Sequence, residues 1–144
     1  MLKYWVALAA AGAVLWACAD LEAPEPATGA ACAVEHVYDG DTVSLDCPGR
    51  PLERARLLGF DTPEVFSPGC AAEARLGAAA TERLRDLVAA GTVTGLRRQG
   101  HDRYGRALVW LEIDGVDVGR VLIEDGLAVR YGGGRRIDWC ARLS

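Results

Sequence analysis

Three short segments of this 144-residue chain combine residue types suited to phosphate chemistry. They are Asp39-Gly40-Asp41-Thr42, the run Arg56-Leu-Leu-Gly-Phe-Asp-Thr-Pro-Glu64, and Asp102-Arg103-Tyr104-Gly105-Arg106. Taken singly, each has a plain structural explanation. Asp-Gly makes turns, Thr62-Pro63 with Glu64 behind it fits a helix cap and first-turn proline, and Tyr104-Gly105 fits another turn. Taken together they supply three carboxylates, Asp41, Asp61 and Glu64, at the ends of expected strands. Like charges gathered in a fold are costly unless a cation or a proton offsets them. A hard divalent cation with oxygen ligands is the natural partner, because these segments offer no soft ligand. Arg56 and Arg106 complete the set, since a planar guanidinium fork is suited to clamping an oxygen-rich anion such as a phosphodiester.

The elements that must position these groups follow from periodicity. Ala33–Tyr38 and Thr42–Leu45 alternate as strands, with Asp39-Gly40 as a hairpin signal between them. Leu52–Phe60 reads as a third strand, with Arg54 and Arg56 on one face. Leu76, Ala80, Leu84 and Leu87/Val88 recur at helical spacing, and Gly91 is placed to end that helix. Thr92–Leu96 and Ala107–Ile113 give two more strands, the last closing at Asp114-Gly115. Asp117 is placed to cap a short helix carrying Val118, Val121 and Leu122 that stops at Gly126. The expectation is a β-rich α+β fold, a five-stranded OB-type Greek-key barrel with two helices.

With the elements in order, the segments resemble those of the staphylococcal nuclease (thermonuclease) family. The resemblance runs from about Ala33 to Ala128, through Val37-Tyr-Asp-Gly-Asp-Thr-Val43, Arg56–Glu64, Asp102–Arg106 and Asp114-Gly115 to Gly126-Leu-Ala128. It implies an OB-fold nuclease that uses Ca²⁺ to hydrolyse DNA and RNA, single-stranded or frayed, with little sequence preference and release of 3′-phosphate ends. Carried over by position, Asp41 and Asp61 would ligate Ca²⁺ through carboxylates and Thr62 through its backbone carbonyl. Glu64 would be the general base, and Arg56 and Arg106 would bind the phosphate and stabilise charge in the transition state. Asp39 would stand just behind the ligands, while Tyr104 would border the nucleotide. Arg103 and Tyr131 join them as substrate contacts, within basic clusters at Arg97, Arg98, Arg103 and Arg106 and at Arg130, Arg135 and Arg136 that read as a nucleic-acid groove. His36 and His101 fall outside the matched base position and read as surface residues. The family's type member continues through a long third helix beyond the matched region. Here that place holds Arg130–Arg136 and Trp139-Cys140.

Composition sets the outer bounds. Apolar residues make up 51% and charged residues 25%, a globular balance for one domain. The net charge is −4, so indiscriminate coating of nucleic acid by a basic surface is excluded. Lys3 is the only lysine among the 16 basic residues, and all the others are arginine. Residues 1–19 have the charged start, short apolar core and small-residue end of a secretory signal, too short for the ~20 residues of a membrane span. Ala17-Cys18-Ala19 suits ordinary cleavage, whereas Leu15-Trp16-Ala17-Cys18 resembles a lipoprotein box that would lipidate Cys18 and anchor the protein to the membrane. Residues 20–30 carry two prolines and read as a flexible linker, leaving 31–144 as the folded domain. The expected location is therefore exported: periplasmic or extracellular, lipid-anchored if Cys18 is modified, and monomeric. Without Cys18, four cysteines remain, which permits three disulfide pairings. Spacing favours Cys32–Cys47 across the hairpin and Cys70–Cys140 closing the domain. Two rivals stand beside the nuclease: an OB-fold module that binds nucleic acid without cutting it, and an envelope lipoprotein that binds protein or glycan. A silent module is free to lose members of the catalytic set, yet all are present here.

Overall fold

A computed structural model describes residues 31–144. The signal segment, the linker and Cys18 lie outside the described residues. The chain runs β1 (Ala33–Asp39), β2 (Thr42–Asp46), β3 (Glu53–Leu57), β4 (Gly59–Asp61), α1 (Ala71–Ala90), β5 (Val93–His101), β6 (Ala107–Ile113), β7 (Val116–Asp117), α2 (Val118–Glu124), β8 (Val129–Tyr131) and α3 (Trp139–Leu143). The main sheet has the order β1-β2-β3-β6-β5, with β7 hanging on β6, and β4 pairs with β8 in a second, two-stranded sheet. All pairings are antiparallel except β3 with β6.

The β-rich, OB-like α+β class is as expected, with three differences. Among the described residues eight strands form rather than five, three helices rather than two, and the main sheet stays open, with β1 and β5 as its edges, instead of closing into a barrel. The third expected strand is broken. Gly59 adopts φ +92, and a Cβ there would lie 2.3 Å from the Trp110 ring. Only glycine satisfies both the left-handed backbone and the close approach. The chain turns at this point, so Phe60 and Asp61 leave the main sheet and pair with Arg130 and Val129.

The core is built from alternate strand positions, Val43, Leu45, Ala55, Leu57, Val109 and Leu111, covered by Leu84 of α1 and Val118 and Leu122 of α2. Phe60 of β4 is buried in the same core, packed so closely on α2 that a Cβ at Gly119 would lie 2.3 Å from its ring. Asp117 caps α2, accepting a hydrogen bond from the Arg120 N–H at 2.8 Å, as its position foretold. Thr62-Pro63-Glu64 caps no helix. Residues 62–70 are a loop, and α1 begins only after Cys70.

Both disulfides favoured by spacing are present. Cys32–Cys47 closes the β1–β2 hairpin just beyond the Ala33–Asp46 pair. Cys70–Cys140 joins the start of α1 to the five-residue α3, which fastens the C-terminal segment to the body of the domain. The two bridges span 15 and 70 residues of sequence. In the chain-entropy account, the longer loop constrains the unfolded state by about 4 kcal/mol and the shorter by about 3. Replacing Cys70 and Cys140 by alanine should therefore lower the urea midpoint more than replacing Cys32 and Cys47. Equal losses, or the reverse order, would remove loop closure as the explanation.

Candidate active site

The site lies where the β1–β2 turn, the end of β4 and the loop before β6 converge. Gly40 opens the turn but has no left-handed backbone. Its lack of a side chain serves packing instead, because a Cβ would lie 2.8 Å from Thr62 Cγ2 and 2.9 Å from Ala80 Cβ. The turn is thereby pressed against Thr62, which puts Asp41 beside Asp61 although 20 residues separate them. Asp41 Oδ2 accepts hydrogen bonds from the Thr62 N–H at 3.3 Å and the Thr62 hydroxyl at 3.0 Å, and Oδ1 accepts from the Thr42 hydroxyl at 3.1 Å.

Asp61 is completely buried. An isolated carboxylate there would be strongly disfavoured, and the structure answers with three donors. Arg136 Nε lies 2.7 Å and Arg56 Nη2 3.2 Å from Oδ1, and Trp139 Nε1 donates to Oδ2 at 3.2 Å. Even so, burial outweighs these partners and raises the Asp61 pKa above its ordinary value, helped by the charge on Asp41. Arg56 also reaches Asp41 Oδ2 at 2.5 Å through Nη1, so one guanidinium bridges the two aspartates.

Glu64 stands at the edge of this group, about one-third exposed. Its Oε1 accepts from the N–H groups of Val65 at 3.0 Å and Phe66 at 3.1 Å, and its Oε2 lies 3.7 Å from Arg136 Nη1. The loop that carries it is anchored by Glu73 of α1, a buried carboxylate that accepts from the N–H groups of Glu64 at 3.1 Å and Gly69 at 2.7 Å. Across the cleft, Arg106 is oriented by Asp102, with Nε to Oδ2 at 2.7 Å, and its Nη1 lies 3.4 Å from the Thr42 hydroxyl. Burial opposes ionisation of Asp102, but the hydrogen bonds from Arg106 and Tyr104 outweigh it and hold the carboxyl below its ordinary value. Tyr104 is largely exposed, stacked beneath Arg103 at 4.7 Å.

These groups line one open groove of about 830 Å³. Asp39, Asp41, Thr62, Arg56, Glu64 and Arg106 face into it, with Arg103, Tyr104 and Tyr131 along its walls. Asp61 lies behind the lining residues. The Tyr131 hydroxyl donates to the Gly134 carbonyl at 2.6 Å, which bends the segment after β8 back over the site. The expected basic clusters separate. Arg98 pairs with Glu53 and Arg97 stacks on Trp110, whereas Arg136 enters the carboxylate group itself. The disulfide-bonded Cys70 and Cys140 also gather around Glu73, but their sulfurs are bonded to each other and offer no thiolate.

The donor set suits a hard cation. Asp41, Asp61 and the Thr62 carbonyl present only oxygen, buried and adjacent, with no thiolate or imidazole among them. Three contributors escaped the sequence reading in these roles: Arg136, Trp139 and Glu73. Arg136 was grouped with groove cations, and the indole of Trp139 carried no motif. Glu73 precedes the Leu76–Val88 stripe and belongs to none of the three segments. Arg54 did signal itself by alternation with Arg56, and it lies exposed at the groove rim, stacked 3.9 Å from the Tyr38 ring.

Asp39 accepts from the Asp41 N–H at 3.0 Å. Burial, and then the neighbouring charge of Asp41, raises its pKa from 3.8 to about 6. The fold thus favours the protonated form. That contribution to stability is complete below about pH 4 and is lost as the pH rises through about 6. In metal-free buffer, Asp39→Asn should remove this loss and so gain stability relative to the parent protein between pH 4 and 7. Parallel urea titrations across that range check it, and a pH-independent difference would show that Asp39 does not titrate there.

Comparison with known proteins agrees with this geometry. The family model described as staphylococcal nuclease homologue matches residues 54–137, which include Arg56, Asp61, Thr62, Glu64, Arg106 and Arg136. The thermonuclease of Staphylococcus intermedius is 36% identical over 97 residues, covering 66% of this chain and 56% of that protein. The SPbeta prophage-derived endonuclease YokF and the endonuclease YncB, both of Bacillus subtilis (strain 168), are each 33% identical over 100 residues. Each alignment covers 66% of this chain, but 32% of YokF and 45% of YncB. The chain thus matches about a third to just over half the length of these relatives. On the matched span and the residues it contains, the chain belongs to the staphylococcal nuclease family.

Proposed function

We propose that this protein is an exported, calcium-dependent nuclease that hydrolyses phosphodiester bonds of DNA and RNA with little sequence preference. The observation that carries the reading is the pairing of buried Asp41 and Asp61 across Arg56, with Glu64 and Arg106 facing the same groove. The names of the relatives, thermonuclease and endonuclease, point the same way. The apolar leader and the two disulfides support export.

Asp41, Asp61 and the Thr62 carbonyl would hold the calcium ion. When bound, calcium supplies Lewis-acid polarisation of a phosphoryl oxygen. The protein groups do the rest. Glu64 Oε2 accepts a proton from water as the water oxygen bonds to phosphorus, while the backbone N–H groups on Oε1 keep the carboxylate aimed. The bond from phosphorus to the leaving oxygen breaks, and that oxygen takes up a proton from solvent. Arg56 and Arg106, both lining the groove, would bind the phosphate and stabilise the charge that grows in the transition state. Arg103, Tyr104 and Tyr131 would take the flanking sugar and base, most readily from single-stranded or frayed substrate, where bases are free to stack.

The test follows cleavage of a labelled single-stranded DNA oligonucleotide by the purified, oxidised protein. Cleavage should require calcium and stop with chelator. Glu64→Gln should lower kcat by about 10²-fold or more, and Arg56→Ala by a similar factor, with the fold intact by circular dichroism. Binding of the oligonucleotide without cleavage would replace the nuclease by a binding module. Cleavage unaffected by chelator would remove calcium.

A further inference from the structure

Arg136 contacts two of the three groups that the proposed reading assigns to calcium, Asp61 and the Thr62 carbonyl, and also reaches Glu64, the proposed base. Its Nε lies 2.7 Å from Asp61 Oδ1, its Nη2 donates to the Thr62 carbonyl at 3.1 Å, and its Nη1 lies 3.7 Å from Glu64 Oε2. Asp61 has no room for an additional partner on Oδ1, which already receives Arg56 and Arg136. The contact is held from both sides. Upstream, β8 is registered on β4, with Val129 opposite Asp61. Downstream, Trp139 is buried with its indole on Asp61, and Cys140 is bonded to Cys70. Between these anchors, Gly133 and Gly134 take left-handed backbones (φ +104 and +89) and bring residue 136 back over the carboxylates. Burial works against the charge on Arg136, but Asp61 and then Asp41 outweigh it and hold its pKa above the ordinary value.

We infer that Arg136 is a built-in counter-cation that competes with calcium for Asp61 and the Thr62 carbonyl, and so sets the calcium concentration at which the site fills. The inference rests on the reading of Asp41, Asp61 and Thr62 as the calcium site. A guanidinium and a dication cannot occupy the same oxygen lone pairs, and two positive charges at this distance repel. The calcium ion must therefore displace the Arg136 contact or bind against it. Because the Arg136 side chain is about half exposed, displacement moves it only into solvent.

The experiment is calorimetric titration of calcium chloride into the oxidised protein, without substrate, for the parent, Arg136→Gln and Arg136→Lys. Arg136→Gln should tighten calcium binding by about fivefold or more. Arg136→Lys keeps the charge but not the fork, and should fall between the two. In chelator, Arg136→Gln should melt at lower temperature than the parent, because Asp61 loses a partner, and its melting temperature should rise more on adding calcium. Calcium affinity that is unchanged or weaker in Arg136→Gln overturns the inference. Asp41→Asn separates this from failure of the underlying reading. It should weaken calcium binding in every background. If it does not, the calcium site itself is misassigned and the inference falls with it.

Discussion

A carboxylate with no solvent contact organises this molecule. Asp61 sits at the end of a three-residue strand, behind the groove, and each element around it contributes a donor or the means to position one. β3 supplies Arg56, the segment after β8 supplies Arg136, and α3 supplies Trp139. A buried charge is tolerated only when its partners are held in place, since losing any of them leaves an uncompensated ion. This requirement accounts for features that otherwise look unrelated: the break at Gly59 that frees β4 from the main sheet, the β4–β8 pairing, and the bridge from Cys70 to Cys140. The groove in front of Asp61 inherits its rigidity from that arrangement.

The same logic explains the short C-terminal segment. Where the family's type member has a long third helix, this chain has five helical residues, and they suffice because their task is local. Asp138 caps the turn by accepting from the Ala141 N–H at 2.9 Å, Trp139 enters the core with its indole on Asp61, and Cys140 locks the position. An isolated helix of this length would not persist in water. Covalent attachment and one buried aromatic replace the cooperative length that it lacks.

Much of this was legible in the chain, for identifiable reasons. Asp41, Asp61, Glu64, Arg56 and Arg106 stood out because their segments are compact and their side chains have few structural uses in that combination. Hairpins were visible where turn chemistry is local, as at Asp114-Gly115, where both residues take positive φ. The cysteine pairing followed from spacing. What escaped depends on contacts between distant segments. The Leu52–Phe60 run alternates well enough to be one strand, and only the Trp110 ring, from another strand, reveals why Gly59 must break it. The open sheet is equally non-local, because closure depends on whether β1 and β5 meet. Arg136 carries the same letter as the solvated arginines near it, and nothing in its neighbourhood announces that β8 and the second disulfide will carry it onto Asp61.

The parallel pairing of β3 with β6 has a consequence for how the molecule comes into being. It sets Arg56 opposite Leu108, two residues beyond Arg106, and thereby brings these two arginines to one groove. A parallel pair has no hairpin route; its strands meet only after the intervening chain, here β4, α1 and β5, has been laid down and threaded across. Contacts of such long sequence separation are slow to form during folding. The hairpins β1–β2 and β5–β6 each form from neighbouring sequence, and each holds only one part of the groove. A nascent or half-folded chain therefore carries the residues of the groove without the groove itself, which arises only with the completed topology.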